Sequence, residues 1–319
     1  MPDERLAAPT PAAAGALLRE ILPGHRVDRV VPRTGGQLSS VYEVRLDDAA
    51  PAVIVKVYAE AWRWKQAKEA HVYGLLRQHG VGPVPELLYA DDASAHVHGR
   101  ACTVMTLLAG QPLSAVSSSL GPAELHHVYQ QMGESLARLH RIDQEAFGYL
   151  TTEILDPRPS NTAYMNGQFD KKLREFAGLG GDEALRAAIE RYVSEHEGLF
   201  AACDRAALCH NDFHEGNILV ARDGHGDWRV TGFIDVENAI AADPLMDLAK
   251  TDSYSVRGNP AKLAGLLDGY GYRGDALAER LALYRLYHAL ELWDWFASLG
   301  QPGALDSLAR DMRRIAVDD

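Results

Sequence analysis

Long apolar runs are missing from this chain of 319 residues. No stretch approaches the roughly 18 uninterrupted apolar residues that would carry a helix across a bilayer, which argues against a membrane protein. The start, Met1-Pro2-Asp3-Glu4-Arg5, lacks a basic run, and Pro9 and Pro11 break the alanines behind it, so the pattern of a secretory signal is missing too. Cysteine is scarce. Cys102, Cys203 and Cys209 cannot all pair with one another and form no Cys-x-x-Cys, which with the missing signal predicts reduced thiols and a cytoplasmic protein. Glycine (28) and proline (15) are near ordinary abundance, which excludes collagen-like and disordered classes. There is no Gly-x-x-x-x-Gly-Lys-Ser/Thr phosphate loop and no His-Glu-x-x-His zinc helix.

What is present begins with charge. Residues 1–110 carry 12 basic and 12 acidic side chains, so the formal net charge of -12 resides wholly in residues 111–319, with 20 against 32. An acidic second part argues against nucleic acid or an anionic membrane as partner and fits a cationic ligand better, with a merely soluble acidic surface as the competing reading.

Apolar spacing divides the chain at nearly the same place. Leu17, Leu18, Ile21 and Leu22 predict a short helix over 13–22. The runs 41–46 and 52–58 flank a polar turn and predict a hairpin. The period then lengthens over 62–79, with Ala70, Tyr73 and Leu76, to predict a helix ending at Gly80. A strand is expected over 101–107. Beyond it the pattern is mostly helical: Leu125, Val128, Met132, Leu136 and Leu139 form one stripe, and further helices are expected over 184–200 and 277–299. A second hairpin is expected from 218–221 and 229–235 across Asp223-Gly224-His225-Gly226-Asp227. The expectation is an α+β chain: a small β-rich lobe over 1–107, a linker strand at about 101–110, and a larger helical lobe over 108–319.

One segment concentrates chemistry. Leu208-Cys209-His210-Asn211-Asp212-Phe213-His214-Glu215-Gly216-Asn217 places a histidine, an aspartate two later and an asparagine five after that, directly before the apolar run Ile218-Leu219-Val220. Eighteen residues after Asn217, the apolar run Gly232-Phe233-Ile234 ends on Asp235-Val236-Glu237. This resembles the kinase-like fold, and specifically the aminoglycoside phosphotransferase and choline kinase group, whose members carry an H-x-D-x-x-x-x-N loop followed by I-D-x-E/D. A zinc reading of His210, Asp212 and His214 competes. It lacks further ligands at a recognisable spacing and explains none of the N-terminal features below.

The resemblance implies a bilobal protein-kinase-like fold and an ATP- and Mg²⁺-dependent transfer of phosphate to a hydroxyl. Phosphoryl transfer needs the acceptor hydroxyl held in line and the triphosphate charge neutralised. Asp212 is then the base that orients the hydroxyl, and Asn217 and Asp235 are hard oxygen ligands for Mg²⁺. Glu237 is read either as a contact to a second metal or as a cap. His210 and Asp243, with Asp247, are read as braces. In the first lobe, the lone Lys56 inside Val53–Tyr58 and Glu69 thirteen positions on match the family's phosphate-binding lysine and its helix glutamate. Gly35, Gly36, Ser39 and Ser40 are expected to approach phosphates, and Thr106 and Leu107 to meet an adenine.

Departures blur the subfamily. Asn211 stands where the family commonly has glycine, and Val236 where an aromatic is common. Arginine after His210, glycine after Asp235 and a following Ala-Pro-Glu are all absent, so the acceptor is expected to be a small molecule and not a protein. On the last long helix, Tyr284, Tyr287, Glu291 and Asp294 follow one face, and with Glu215 they are candidates for a cationic acceptor such as an aminoglycoside or another basic antibiotic. Antibiotic resistance is the role such an acceptor suggests, but the resemblance to resistance enzymes does not by itself assign it. A half-buried packing face is the competing reading of that stripe. Choline, an amino sugar or another metabolite is the alternative acceptor, and a nucleotide-binding pseudokinase is the alternative from another class.

Overall fold

The computed structural model describes residues 10–33, 39–47 and 50–317. Gly35 and Gly36 of the expected phosphate loop lie outside the described residues. The chain forms two compact units. One takes in Met1–Ser119, Thr151–Glu153 and Glu215–Asn238; the other takes in Leu120–Leu150, Ile154–His214 and Ala239–Asp319. The 108–119 and 215–238 segments fall after the expected division at 107/108 yet have their contacts in the first unit. The reason is strand pairing, since Gln111 and Pro112 pair with Val220 and Leu219.

The first unit opens with α1 (Pro11–Ile21), capped by the Thr10 hydroxyl accepting from the Ala13 N–H and started by a proline whose missing N–H costs nothing there. Its Ala14, Leu17 and Leu18 are buried with Tyr42, Val44, Val55, Val57 and Val104. Those residues come from an antiparallel sheet of β1 (Val27–Arg33), β2 (Ser39–Leu46), β3 (Val53–Tyr58), β4 (Leu87–Ser94) and β5 (Arg100–Thr106), in the order β1-β2-β3-β5-β4. Between β3 and β4 lies α2 (Trp64–Gln78). Its buried face reads Lys65, Lys68, Glu69, Val72, Tyr73 and Leu76, so apolar spacing marks only its second half.

The expected second hairpin is present as Ile218–Arg222 and Trp228–Phe233. Its turn is built on Asp223, whose Oδ1 accepts from the backbone N–H groups of His225 and Asp227. Gly232 makes the hairpin fit: at φ +150° a Cβ would sit 2.6 Å from the Pro83 carbonyl oxygen.

The second unit is mainly helical, with α3 (Pro122–Leu139), α4 (Asn161–Gly178), α5 (Glu183–His196), α6 (Leu245–Thr251), α7 (Pro260–Tyr270), α8 (Leu277–Ser298) and α9 (Leu305–Ala316). A sheet of five short antiparallel strands runs among them, including Ala206–Cys209 beside Ile240–Ala242. α3 and α7 pack closely because Gly265 and Gly269 present bare backbone to α3. Among the described residues, no helix is long and apolar enough to cross a membrane.

Candidate active site

In the first unit, Lys56 occupies the buried middle of β3, where an ammonium requires compensation. It receives three carboxylates. Nζ lies 3.1 Å from Glu69 Oε1, 3.0 Å from Asp235 Oδ1 and 2.6 Å from Glu237 Oε2. Burial by itself pushes the ammonium down, but Glu69 and Asp235 outweigh it and carry Lys56 well above the ordinary lysine value. Glu69, 1% exposed, is raised above the ordinary carboxyl value by burial, against the pull of Lys56. Its second oxygen accepts from the Tyr58 hydroxyl.

Two further lysines of α2 belong to this cluster. Lys65 Nζ lies 3.3 Å from Glu237 and 2.8 Å from Asn238 Oδ1. Lys68 is lowered to about 7, by burial first and by Lys65 second. Asp235 follows the strand Trp228–Phe233 in a left-handed conformation at φ +67°. Tyr73, buried on α2, has its phenol raised well above the ordinary tyrosine value, by burial first and by Glu69 second. Asn217, at the head of the opposite strand, accepts the Ile234 N–H on its backbone carbonyl. One oxygen each of Glu69, Asp235 and Glu237 lie within 4.8 Å of one another. Such hard oxygens, with the amide of Asn217, are the donor set that suits Mg²⁺.

Ser39 and Ser40 open β2 opposite Tyr58 and Val57. Thr106 departs from expectation. Its backbone N–H donates to the Glu86 carbonyl and its hydroxyl accepts from the Glu86 N–H, both at 2.9 Å, so the Thr106 amide is not available to an adenine. Leu107, the next residue, follows β5. Glu215 also differs, because its carboxylate takes the Ser117 hydroxyl at 2.6 Å and its carbonyl takes the Ser114 N–H. It anchors a turn of the first unit.

In the second unit, the buried strand Ala206–Cys209 delivers His210. Asp247, fully buried at the start of α6, accepts the backbone N–H groups of His210 and Asn211, each at 2.6 Å, and faces His140 Nε2 at 3.0 Å. Burial would raise its carboxyl, but His140 and these donors hold it below the usual value. Thr251 pins the same loop through the Phe213 carbonyl at 2.6 Å. Asn211 sits at φ +57°, where asparagine is the best tolerated residue after glycine. The Asp212 carboxylate and the His214 imidazole are 3.5 Å apart and partly exposed. His210 is buried and meets the Phe213 ring edge-on.

Asp243 proves to be a brace of another kind. It accepts from Arg280, from Tyr284 and from the Leu245 N–H, and so ties α8 to the start of α6 instead of holding the 210–217 loop. The aromatic and acidic stripe of α8 is corrected with it. Tyr284 is buried with its hydroxyl between Asp243 and Asn161, and Tyr287 is buried with its hydroxyl on Gln168. Asp294 is 3% exposed, and burial first, then Glu175, lifts it to about 7 against Lys172. These three pack. Glu291 is partly exposed and is held by Lys250 at 3.5 Å and His288 at 3.4 Å.

Sequence reasoning passed over Tyr58, Tyr73, Lys65 and Lys250. Of these only Tyr58 carried a local signal, two positions after Lys56 and therefore on the same face of β3.

Comparison with known proteins identifies the family and the fold. The profile of the phosphotransferase enzyme family (APH) matches residues 29–284. A homoserine kinase of Cupriavidus necator is 27% identical over 212 residues, which are 63% of this chain and 58% of that protein, so the match spans a little over half of that relative's length. A thermostable mutant of aminoglycoside phosphotransferase APH(4)-Ia, in ternary complex with AMP-PNP and hygromycin B, superposes with a TM-score of 0.70 at 18% identity, covering 95% of this chain and 98% of that one. The GDP complex of a mutant aminoglycoside 2'-phosphotransferase-IIIa gives a TM-score of 0.70 at 13% identity, over 97% and 98%. Both structures share the fold, an antiparallel sheet followed by helices.

Proposed function

The chain belongs to the phosphotransferase enzyme family, and from that premise we propose that it transfers the γ-phosphoryl group of ATP to a hydroxyl of a small molecule. The observation that carries this reading is Lys56, a strand lysine bonded at once to a helix glutamate and to the two carboxylates that follow a distant strand.

In the first unit, Lys56 binds the α- and β-phosphates and Glu69 aims it. Ser39 and Ser40 border the phosphates, and the adenine meets the backbone from Leu107 onward. Asn217 and Asp235 would hold Mg²⁺, with Glu237 beside them. When bound, that ion neutralises charge on the phosphate oxygens. In the second unit, Asp212 accepts the proton of the acceptor hydroxyl as its oxygen bonds to the γ-phosphorus, the bond to the β-phosphate oxygen breaks and ADP leaves. Asp247 fixes the backbone that presents Asp212.

The acceptor we favour is cationic, an aminoglycoside or another basic antibiotic, on the acidic balance of residues 111–319 and the partly exposed Asp212 and Glu291. A second reading, a metabolite kinase acting on a hydroxy amino acid or similar compound, gains from the identity with homoserine kinase and from Lys250 already neutralising Glu291. A pseudokinase is disfavoured because Lys56, Asp212, Asn217 and Asp235 are all present.

The test is ADP release from Mg·ATP against a panel of aminoglycosides, peptide antibiotics, choline, amino sugars and hydroxy amino acids, with Asp212→Ala as control. Acceptor-dependent ADP and one phosphoryl group gained by the acceptor, both lost in the control, are expected. No binding of Mg·ATP by the wild-type chain would sink the reading.

A further inference from the structure

Tyr58 and Lys56 share one face of β3, because alternate residues of a strand point the same way. The phenol is wholly buried. Its hydroxyl donates to Glu69 Oε2, while Glu69 Oε1 takes the Lys56 ammonium at 3.1 Å. The two oxygens of one carboxylate are thus engaged by two groups from the same strand. A carboxylate held at one oxygen swivels about its last bond; held at both, its plane is fixed.

That restraint matters because Lys56 has competing attractions. Asp235 and Glu237 also draw its Nζ, and Glu237 at 2.6 Å is the shortest of the three contacts. If Glu69 turned away, the ammonium would settle on that pair. Burial, with Glu69 adding to it, lifts the phenol well above the ordinary tyrosine value, so the hydroxyl remains a donor across any working pH.

We propose that Tyr58 is a positioning residue for nucleotide binding, fixing Glu69 and through it the direction in which Lys56 presents its ammonium. This rests on the reading of Lys56 as the phosphate-binding lysine. A purely structural phenol would need a partner simply because it is buried, and its loss would lower stability without touching nucleotide affinity.

The experiment is calorimetric titration of the full chain with Mg·AMP-PNP, using wild type, Tyr58→Phe, Glu69→Gln and the double variant, with thermal melting alongside. Phenylalanine keeps the ring and its packing. The expected result is affinity reduced about fivefold to tenfold by Tyr58→Phe, the scale of one ordinary hydrogen bond, and a double variant no weaker than Glu69→Gln alone. Tyr58→Phe binding within about twofold of wild type, or losses that add in the double variant, overturns the assignment while the proposed function stands. A Tyr58→Phe chain that does not fold makes the phenol a folding requirement and also overturns it. A wild-type chain that binds no nucleotide removes the proposed function and this inference together.

Discussion

Lys56 and Glu237, 181 positions apart in sequence, meet at 2.6 Å in the buried heart of the first unit. The ammonium thereby stands among three carboxylates whose oxygens are spaced closely enough to share one cation. Glu237 in turn keeps a second ammonium, Lys65, at 3.3 Å. Drawing Lys56 toward a phosphate therefore leaves Glu237 still paired.

Removing that ammonium should expose the carboxylates to one another. Lys56→Met is expected to cost about 3–5 kcal/mol of stability, the usual scale for breaking a buried ion pair from one side. Added Mg²⁺ or Ca²⁺ should restore part of it, because the divalent ion meets the same three oxygens. Melting curves with and without millimolar divalent ion check this. A variant that melts like the wild type, or one that no divalent ion rescues, would contradict the cluster as described.

Asp294 makes stability depend on pH. Its folded carboxyl stands at about 7, well above the ordinary value of 3.8, because burial and Glu175 disfavour the charge. The folded chain therefore holds a proton at pH 5–6 that the unfolded chain has released, and its stability should fall as pH rises from about 4 through about 7. Asp294→Asn should flatten that part of the curve and raise the melting temperature at pH 8 by several degrees. Denaturation across the pH range reads this directly, and an unchanged slope in the variant would refute it.

Asn211 tests the loop before Asp212. At φ +57° glycine fits without strain and a β-branched residue does not. Asn211→Gly should keep its melting temperature within a few degrees and retain turnover. Asn211→Val should lose about 1–2 kcal/mol and most turnover, because the N–H groups bonded to Asp247 would be displaced. Equal behaviour of the two variants would show that backbone conformation at 211 does not matter.

Much of this was legible in the chain because the chemistry is written as polar residues inside apolar runs. Lys56 interrupts a strand, Asp235 ends one, and His210 to Asn217 separates two. What was not legible was partnership across distance. Lys65 lies over the rings of its neighbours Trp62 and Trp64, but the carboxylate that takes its charge is Glu237, 172 positions away. The α8 stripe misled for a related cause. That helix is buried on more than one face, so shifting the period by one residue found Tyr284 and Tyr287, which are as inaccessible as Leu283 and Leu286. Thr106 was placed on the right strand end, but its amide is spent on Glu86, a partner no spacing rule indicates.

Asp247 grips the loop before Asp212 by its main chain and not by its side chains. A restraint of that kind is indifferent to spelling: any residue at 211 that tolerates a left-handed backbone inherits it unchanged. The position can then change from asparagine to glycine while the loop stays where it was. Position 247 has no such latitude, since each carboxylate oxygen takes one amide, and even an asparagine there would leave only one oxygen for the two. The letters beside the aspartate can therefore change long before the geometry does.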